Sequence, residues 1–310
     1  MDSLNRTATE LVDEAIDFAD ELNVAVHQLD SEALVLDFGV DAPGGIEAGL
    51  MLAEIQTAGL ATVQTRMDEV GGAPLTHVEL STDQPALALL CSQKAGWEIE
   101  TEGFDGLGSG PARALVAREE EFQRIGYRDD FEFAVLCVES DALPDEGVVE
   151  HVADLAEVAE SGVFLPAFSA ASTAGSTAMA ARAAELAAFR LSELGYDPLD
   201  VLSATGSAPV APVAGDEETA IARTNDALAY GGQAHLVVDE PFDRFEEVPS
   251  TATDEYGTPF AEIFADADWD FYEVPESVFA PAQVTVDVVG GDTHVLGDVN
   301  EALLAESFGL

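Results

Sequence analysis

The 310-residue chain is strongly acidic: 61 Asp and Glu stand against 11 Lys and Arg, which gives a formal net charge of −50 at pH 7. Because such a charge repels itself unless ions screen it, and the Debye length falls to about 3 Å in molar salt, the composition predicts a protein adapted to concentrated salt. The even spread of acids and the 47% hydrophobic content exclude an acidic disordered chain, and the lack of a basic patch argues against nucleic-acid or anionic-membrane partners.

The N-terminal sequence MDSLNRTATE lacks a basic-then-apolar leader pattern, and no apolar run reaches the roughly 20 residues that span a bilayer. A cytoplasmic protein that does not enter a membrane is therefore expected. Cys91 and Cys137 lie in apolar runs without CxxC spacing, and the five histidines are scattered. These patterns predict buried reduced thiols and no metal site.

The first part of the chain alternates predicted helices and strands. An amphipathic helix is expected over residues 9–22, followed by strands in AVHQLD and ALVLDFGV. A helix follows the glycine-rich DAPGGIEAG, and the strands LATVQTRM, LTHVELS and WEIETE come next, with a helix beginning near Asp83 between the last two. This interleaving of helices and strands is typical of an α/β or α+β fold.

The acidic stretch from Arg118 to Asp130 is interpreted as a domain boundary. Beyond it, the patterns predict strands in FEFAVLCVES, VFLPAFS and QAHLVVD, a hairpin across Gly290 and Gly291, and helices at 145–160, 173–194 (closed by Gly195), 217–230, in PFAEIFADA and at the end of the chain. The predicted fold is mixed α/β in two domains, 1–125 and 126–310, with the last strands and helix able to pack back on the first domain.

The segment GLGSGPAR is a candidate ligand loop. Gly108, Ser109 and Gly110 precede a proline suited to a first helical turn, and Arg113 follows. The spacing matches neither a dinucleotide-binding fingerprint nor a P-loop. Two interpretations stay open: a tight connector, or a cradle in which backbone amides hold an anionic ligand.

Arg182 and Glu185 stand three residues apart within the alanine-rich run STAMAARAAELAAF, so both project from one helix face. A structural ion pair is one interpretation. Because the surrounding residues are small and apolar, the pair is also the best acid/base candidate in the chain. The sequence alone leaves both interpretations open.

Two further polar clusters are weaker candidates. ATGSAPVAPV contains Thr205 and Ser207 between small residues, and its prolines disfavour a central strand, which predicts a rigid loop. RTNDALAYGG carries Asn225 and Asp226 on an otherwise apolar helix, where polarity of an exposed helix surface is an equal alternative.

Taken together, the motifs resemble the methenyltetrahydromethanopterin cyclohydrolase family over nearly the whole chain. The matching segments are ELNVAV, GVDAPGGIEAGL, STDQPA, QKAGW, GSGPARAL, LPDEGVVEHVAD, ATGSAPVAPVA, RTNDALAYGG, DEYGTPFAEIFADADWDFY, VFAPA and ESFGL. Gln84 departs from the histidine of the family pattern and Ser207 from its threonine, and the helix around Arg182 is richer in alanine than the pattern, although ARxxE is kept.

The resemblance implies a two-domain α/β fold with a cleft between the domains, a homotrimer, a pterin substrate and no cofactor or metal. The implied reaction is reversible hydrolysis of a methenyl bridge on a pterin carrier to a formyl group. Alternatives are the same chemistry on a tetrahydrofolate carrier, or a non-catalytic oligomer that binds a pterin or phosphate.

The resemblance also implies roles for individual residues. Glu185 matches the catalytic glutamate of ARxxE, and Arg182 is the arginine that would keep it ionised and oriented. The implied substrate-binding residues are Gly108, Ser109, Gly110, Arg113, Thr205, Ser207, Asn225 and Asp226.

Overall fold

A computed structural model describes residues 3–269 and 274–310. The chain divides into two compact units, one made of residues up to Thr62 together with Leu87–Ala178, the other of Val63–Ala86 together with Met179–Leu310. Strands and helices occur in both units, so the predicted mixed α/β class is confirmed. Within the described ranges, no helix combines the length and apolar character needed to cross a bilayer.

The first unit is a mixed sheet with helices on its faces. Its helices are α1 (Leu4–Asp17), α2 (Ala19–Leu22), α3 (Ile46–Gln56), α4 (Ala112–Val116), α5 (Glu120–Ile125) and α6 (Glu146–Ala156), with a π-helical segment at Ala86–Gln93. Its strands are β1 (Ala25–Gln28), β2 (Leu34–Asp37), β5 (Ala95–Thr101), β6 (Phe104–Ser109), β7 (Ala134–Val135), β8 (Cys137–Glu139) and β9 (Val163–Phe168). The strand order is β1-β2-β9-β8-β6-β5, with β7 also paired to β9.

Alternation along the central strands builds a core on each face of this sheet. Leu36 and Cys137 pack into a cluster with α1 and α3, whereas Val35 and Val138 pack into a second cluster with α6. Successive side chains of a strand point to opposite faces, so a strand buried on both sides is apolar throughout. This explains the continuous apolar runs ALVL and FAVLCV.

The second unit contains a sheet of order β13-β12-β11-β10-β4-β3. Its strands are β3 (Thr62–Val70), β4 (Ala73–Thr82), β10 (Val201–Pro209), β11 (Gln233–Val238), β12 (Gln283–Val288) and β13 (Thr293–Gly297). Its helices are α8 (Ala183–Glu193), α9 (Glu217–Gly231), α10 (Phe260–Asp266) and α11 (Glu301–Phe308), and α7 (Thr173–Ala180) contains the division between the units. The predicted hairpin across Gly290 and Gly291 is β12–β13, paired antiparallel.

The boundary expected near residue 125 does not separate these units. β9 pairs with β2 in parallel, which holds residues 126–178 in the same unit as the N-terminal strands. In turn β4 pairs with β10, which places residues 63–86 with the C-terminal part of the chain. Strand pairing between distant segments, which composition does not reveal, sets the division.

Two local predictions were wrong. ATGSAPVAPV does not form a loop but supplies most of β10, a central strand, because Pro209 is the last strand residue and removes no internal ladder bond. Most of GLGSGPAR is also not a loop: Gly106 and Gly108 lie in β6, where a Cβ on Gly108 would lie within 3.2 Å of Leu136 and Trp97, and only Gly110 and Pro111 connect β6 to α4. The N-terminal helix begins earlier than predicted, at Leu4, and is interrupted at Phe18, which is half exposed.

Candidate active site

Arg182 and Glu185 form a close ion pair in the second unit. The Nε of Arg182 donates to Glu185 Oε2 at 2.9 Å, and its NH2 lies 2.8 Å from the same oxygen. The Glu185 side chain is 1% exposed and that of Arg182 is 11% exposed. A buried carboxylate needs a compensating charge, and the guanidinium supplies it with directed hydrogen bonds.

The predicted single helix over 173–194 is interrupted immediately before this pair. α7 ends at Ala180, Arg182 occupies the cap position before α8, and the Arg182 amide donates to the Met179 carbonyl at 3.1 Å. Glu185 therefore lies in the first turn of a new helix, where the positive end of the helix dipole favours an anion. Gly195, with φ of 100°, closes α8 as the sequence predicts.

Thr205 and Ser207 lie on β10, which packs against α8. Ala204, Gly206 and Ala208 are buried, and a Cβ on Gly206 would meet Ala184 of α8. Because side chains alternate along a strand, Thr205 and Ser207 occupy the opposite face of the sheet. There Ser207 Oγ accepts from Arg66 NH2 at 3.3 Å. The structure thus does not bring these two residues beside Glu185.

Asn225 and Asp226 are both buried in α9. The Nδ2 of Asn225 donates to the Ile221 carbonyl one turn back at 2.8 Å. The carboxylate of Asp226 accepts from the Phe260 amide at the start of α10 (2.9 Å) and from the Ser307 hydroxyl of α11 (2.6 Å). Asp226 therefore ties three helices together, a role that its sequence neighbourhood does not indicate.

Burial raises the pKa of Asp226 to about 6, although its two hydrogen bonds oppose this shift. Because the pKa in the folded state is raised, the free energy of unfolding falls as pH rises from about 4 to about 6. We expect Asp226→Asn to remove this part of the pH dependence, a difference on the order of 3 kcal/mol between the two ends of the window. Urea unfolding of both proteins across that window, in molar salt, measures it.

Asp216→Asn is the matched control, at the N-cap of the same helix. The Thr219 amide and hydroxyl lower the pKa of the exposed Asp216, so its contribution has the opposite sign and is lost as pH falls. Parallel pH dependences for wild type and Asp226→Asn would contradict the assignment.

Gly108, Ser109, Gly110 and Arg113 lie in the first unit. Gly108 and Ser109 pair with β8, and the Gly110 amide donates to the Ser92 carbonyl at 2.8 Å. The peptide groups of this segment thus hold strands together. They do not form the open cradle that was one interpretation of the sequence.

Arg113 is fully buried, and Glu119 together with the carbonyls of Leu90, Ser92 and Lys94 accepts hydrogen bonds from all three of its guanidinium nitrogens. Its Nε and NH2 form a forked contact with Glu119, with Nε–Oε1 at 3.0 Å, and NH1 donates to the carbonyls of Ser92 (3.2 Å) and Lys94 (2.7 Å) at the end of the π-helical segment. The guanidinium also lies over the Phe122 ring, 5.4 Å from its centre. To hold an anionic ligand, as predicted, Arg113 would have to leave these partners.

Sequence reasoning missed the residues that hold these groups in place. Glu119 lies six residues from Arg113 in an acidic stretch that was interpreted as a domain boundary, Ser307 acts on a residue 81 positions away, and Gly206 acts through the lack of a side chain. Within residues 3–269 and 274–310, no three His, Cys, Asp or Glu side chains are grouped to hold a metal ion. The last residues of the FADADWDFY motif, 270–272, lie outside the described ranges.

Residues 3–308 match the family model described as "Cyclohydrolase (MCH)", and the chain belongs to this family of cyclohydrolases. Several similar relatives carry one name, methenyltetrahydromethanopterin cyclohydrolase. The protein of Halobacterium salinarum is 60% identical over 310 residues, with full coverage of both chains. Those of Methanocorpusculum labreanum and Methanospirillum hungatei are 40% and 38% identical, covering 100% of this chain and 100% and 99% of the relatives. The resemblance drawn from the motifs is thereby confirmed.

Proposed function

We propose that this protein catalyses the reversible hydrolysis of 5,10-methenyltetrahydromethanopterin to the 5-formyl compound. The observation that carries the proposal is the buried Arg182–Glu185 pair at the start of α8, in a chain that matches cyclohydrolases over 3–308. The name shared by its 60% and 40% identical relatives supports the same substrate. The reaction belongs to one-carbon metabolism.

The substrate carbon is part of an amidinium cation, which a carboxylate attracts and a water molecule attacks. As the C–O bond forms, Glu185 accepts a proton from the water, leaving a neutral tetrahedral adduct. Glu185 then gives this proton to the departing nitrogen while the C–N bond breaks. The remaining hydroxyl loses its proton to solvent and becomes the formyl C=O, so one proton is released for each cation hydrolysed.

Arg182 acts on Glu185 and not on the substrate in this scheme. Its two contacts to Oε2 fix the rotamer of the carboxylate and compensate its charge, leaving Oε1 as the oxygen for proton transfer. A water-poor surrounding strengthens both the ion pair and the attraction for the cationic substrate. Neither step calls for a metal or cofactor, and we keep the expectation that none is used.

The other implied properties belong to the same proposal: a homotrimer in the cytoplasm of a salt-adapted cell, and a cleft that holds the pterin. Among the implied binding residues, Thr205 is exposed and Ser207 is partly exposed, whereas the remainder are buried and largely occupied by internal hydrogen bonds. Because Thr205 and Ser207 lie on the face of β10 opposite α8, and Arg113 and Asp226 are held by internal partners, the arrangement favours none of these four residues as a direct contact of a pterin bound at Glu185.

The proposal is tested by following loss of the methenyl chromophore in molar salt with the two carriers in parallel. We expect tetrahydromethanopterin to be the preferred carrier, with a higher kcat/KM than tetrahydrofolate. Preference for tetrahydrofolate would reassign the substrate. Consumption of neither carrier, with binding retained, would indicate a non-catalytic pterin-binding protein.

A further inference from the structure

Gly206 on β10 lies directly beneath the first turn of α8. A Cβ at this position would lie 2.4 Å from the backbone N of Ala184 and 2.9 Å from its Cβ. Ordinary contacts of a Cβ are 3.4–4 Å, so an alanine here cannot fit without movement of about 1 Å. Ala184 immediately precedes Glu185.

The strand has little freedom to make that movement. Gly206 is in register with Leu80 of β4 on one side and with Ala234 of β11 on the other, so β10 is held by hydrogen bonds along both edges. The opposing atoms are the backbone N, the Cα and the Cβ of Ala184, which cannot rotate away as the end of a flexible side chain would. The first turn of α8 is therefore the part that must shift.

We infer that Gly206 is a positioning residue for the Arg182–Glu185 pair, an inference that rests on the proposed function. Because Gly206 has no side chain, the first turn of α8 packs directly against β10. This packing determines the position of the Glu185 carboxylate. Arg182 precedes α8, and its contacts to Oε2 at 2.8 and 2.9 Å depend on the same turn. Misplacement of a reacting group by about 1 Å can lower a rate by about 10²-fold.

The test is the kinetics of Gly206→Ala in molar salt. We expect kcat to fall by about 10- to 100-fold with little change in KM, because the turn that carries the proton-transferring group moves. The double variant Gly206→Ala/Ala184→Gly removes only the contact with the Ala184 Cβ at 2.9 Å and keeps the contact with the Ala184 backbone N at 2.4 Å, so its kcat should stay low. A merely structural role would lower the melting temperature of both variants without this loss of kcat at saturating substrate.

Gly232→Ala is the matched control. Its Cβ would lie 2.4 Å from the Leu228 carbonyl oxygen, an equally close backbone contact in the same unit, but at the end of α9. Gly215→Ala, where a Cβ would meet nothing within 4 Å, is the unstrained control. Gly232→Ala is expected to lower the melting temperature and keep kcat within about twofold, and Gly215→Ala to change neither.

Wild-type kcat in folded Gly206→Ala would overturn the inference, as would an equal loss of kcat in Gly232→Ala. Should Gly206→Ala not fold, the double variant is measured alone, and a kcat equal to wild type would overturn the inference. These results are separable from failure of the proposed function, in which wild type itself would consume neither methenyl carrier.

Discussion

Replacing Glu185 with Gln is expected to lower kcat by about 10²- to 10⁴-fold while substrate still binds. The amide keeps the shape of the side chain but can neither take a proton from the attacking water nor return it to the departing nitrogen. Loss of the methenyl chromophore under single-turnover conditions measures the chemical step, and equilibrium titration measures binding.

The control is Glu193→Gln on the same helix. Arg190 and Glu193 repeat the three-residue spacing of Arg182 and Glu185, with NH1 and Oε2 3.5 Å apart and both side chains about one-fifth exposed. If the effect is specific to the site, this variant keeps its kcat. Unchanged turnover in Glu185→Gln, or equal losses in the two variants, would remove Glu185 from the mechanism.

Replacing Arg113 with Met is expected to destabilise the protein by about 3 kcal/mol, because the partly buried Glu119 loses its forked partner and the carbonyls of Ser92 and Lys94 each lose a hydrogen bond. Urea unfolding in molar salt measures the change. At saturating substrate, folded Arg113→Met should retain most of the wild-type kcat.

Arg118→Met provides the comparison, since Arg118 lies in the same segment with an exposed side chain. Its unfolding free energy should stay within about 0.5 kcal/mol of wild type. If Arg113→Met instead keeps its stability and raises KM strongly, Arg113 binds the substrate and the structural interpretation is wrong.

The sequence predicted those parts of the fold whose pattern is local. Strands such as β9 and β11 were predicted from their apolar runs, and the helix predicted over 217–230 matches α9 almost to the residue. The Arg182–Glu185 pair was also identified from the sequence, because two charged residues among small apolar ones are unusual unless they pair or serve a function. The strongly acidic composition, from which adaptation to concentrated salt was predicted, agrees with the 60% identity to the protein of Halobacterium salinarum.

Features that depend on distant partners were not predictable. The glycines of β6 and the prolines of the β10 segment indicated loops, yet in these strands the lack of a side chain makes room for Leu136 and Trp97 at Gly108 and for Ala184 at Gly206. Arg113 looked like an anion ligand because nothing in the sequence shows that Glu119 and three carbonyls surround it. The interruption between α7 and α8 was also not predictable from the sequence, because the alanines on both sides of it favour one continuous helix.

The pairing of β4 with β10 has a consequence for biosynthesis. As the chain leaves the ribosome, β3 and β4 emerge early, but the strand that covers the β4 edge appears only after the whole of Leu87–Ala178 has been made. Until then the β4 edge stays unpaired and open to intermolecular association. Strands that are this far apart in the sequence pair slowly. The yield of refolding should therefore depend more on protein concentration than on the stability of the folded protein.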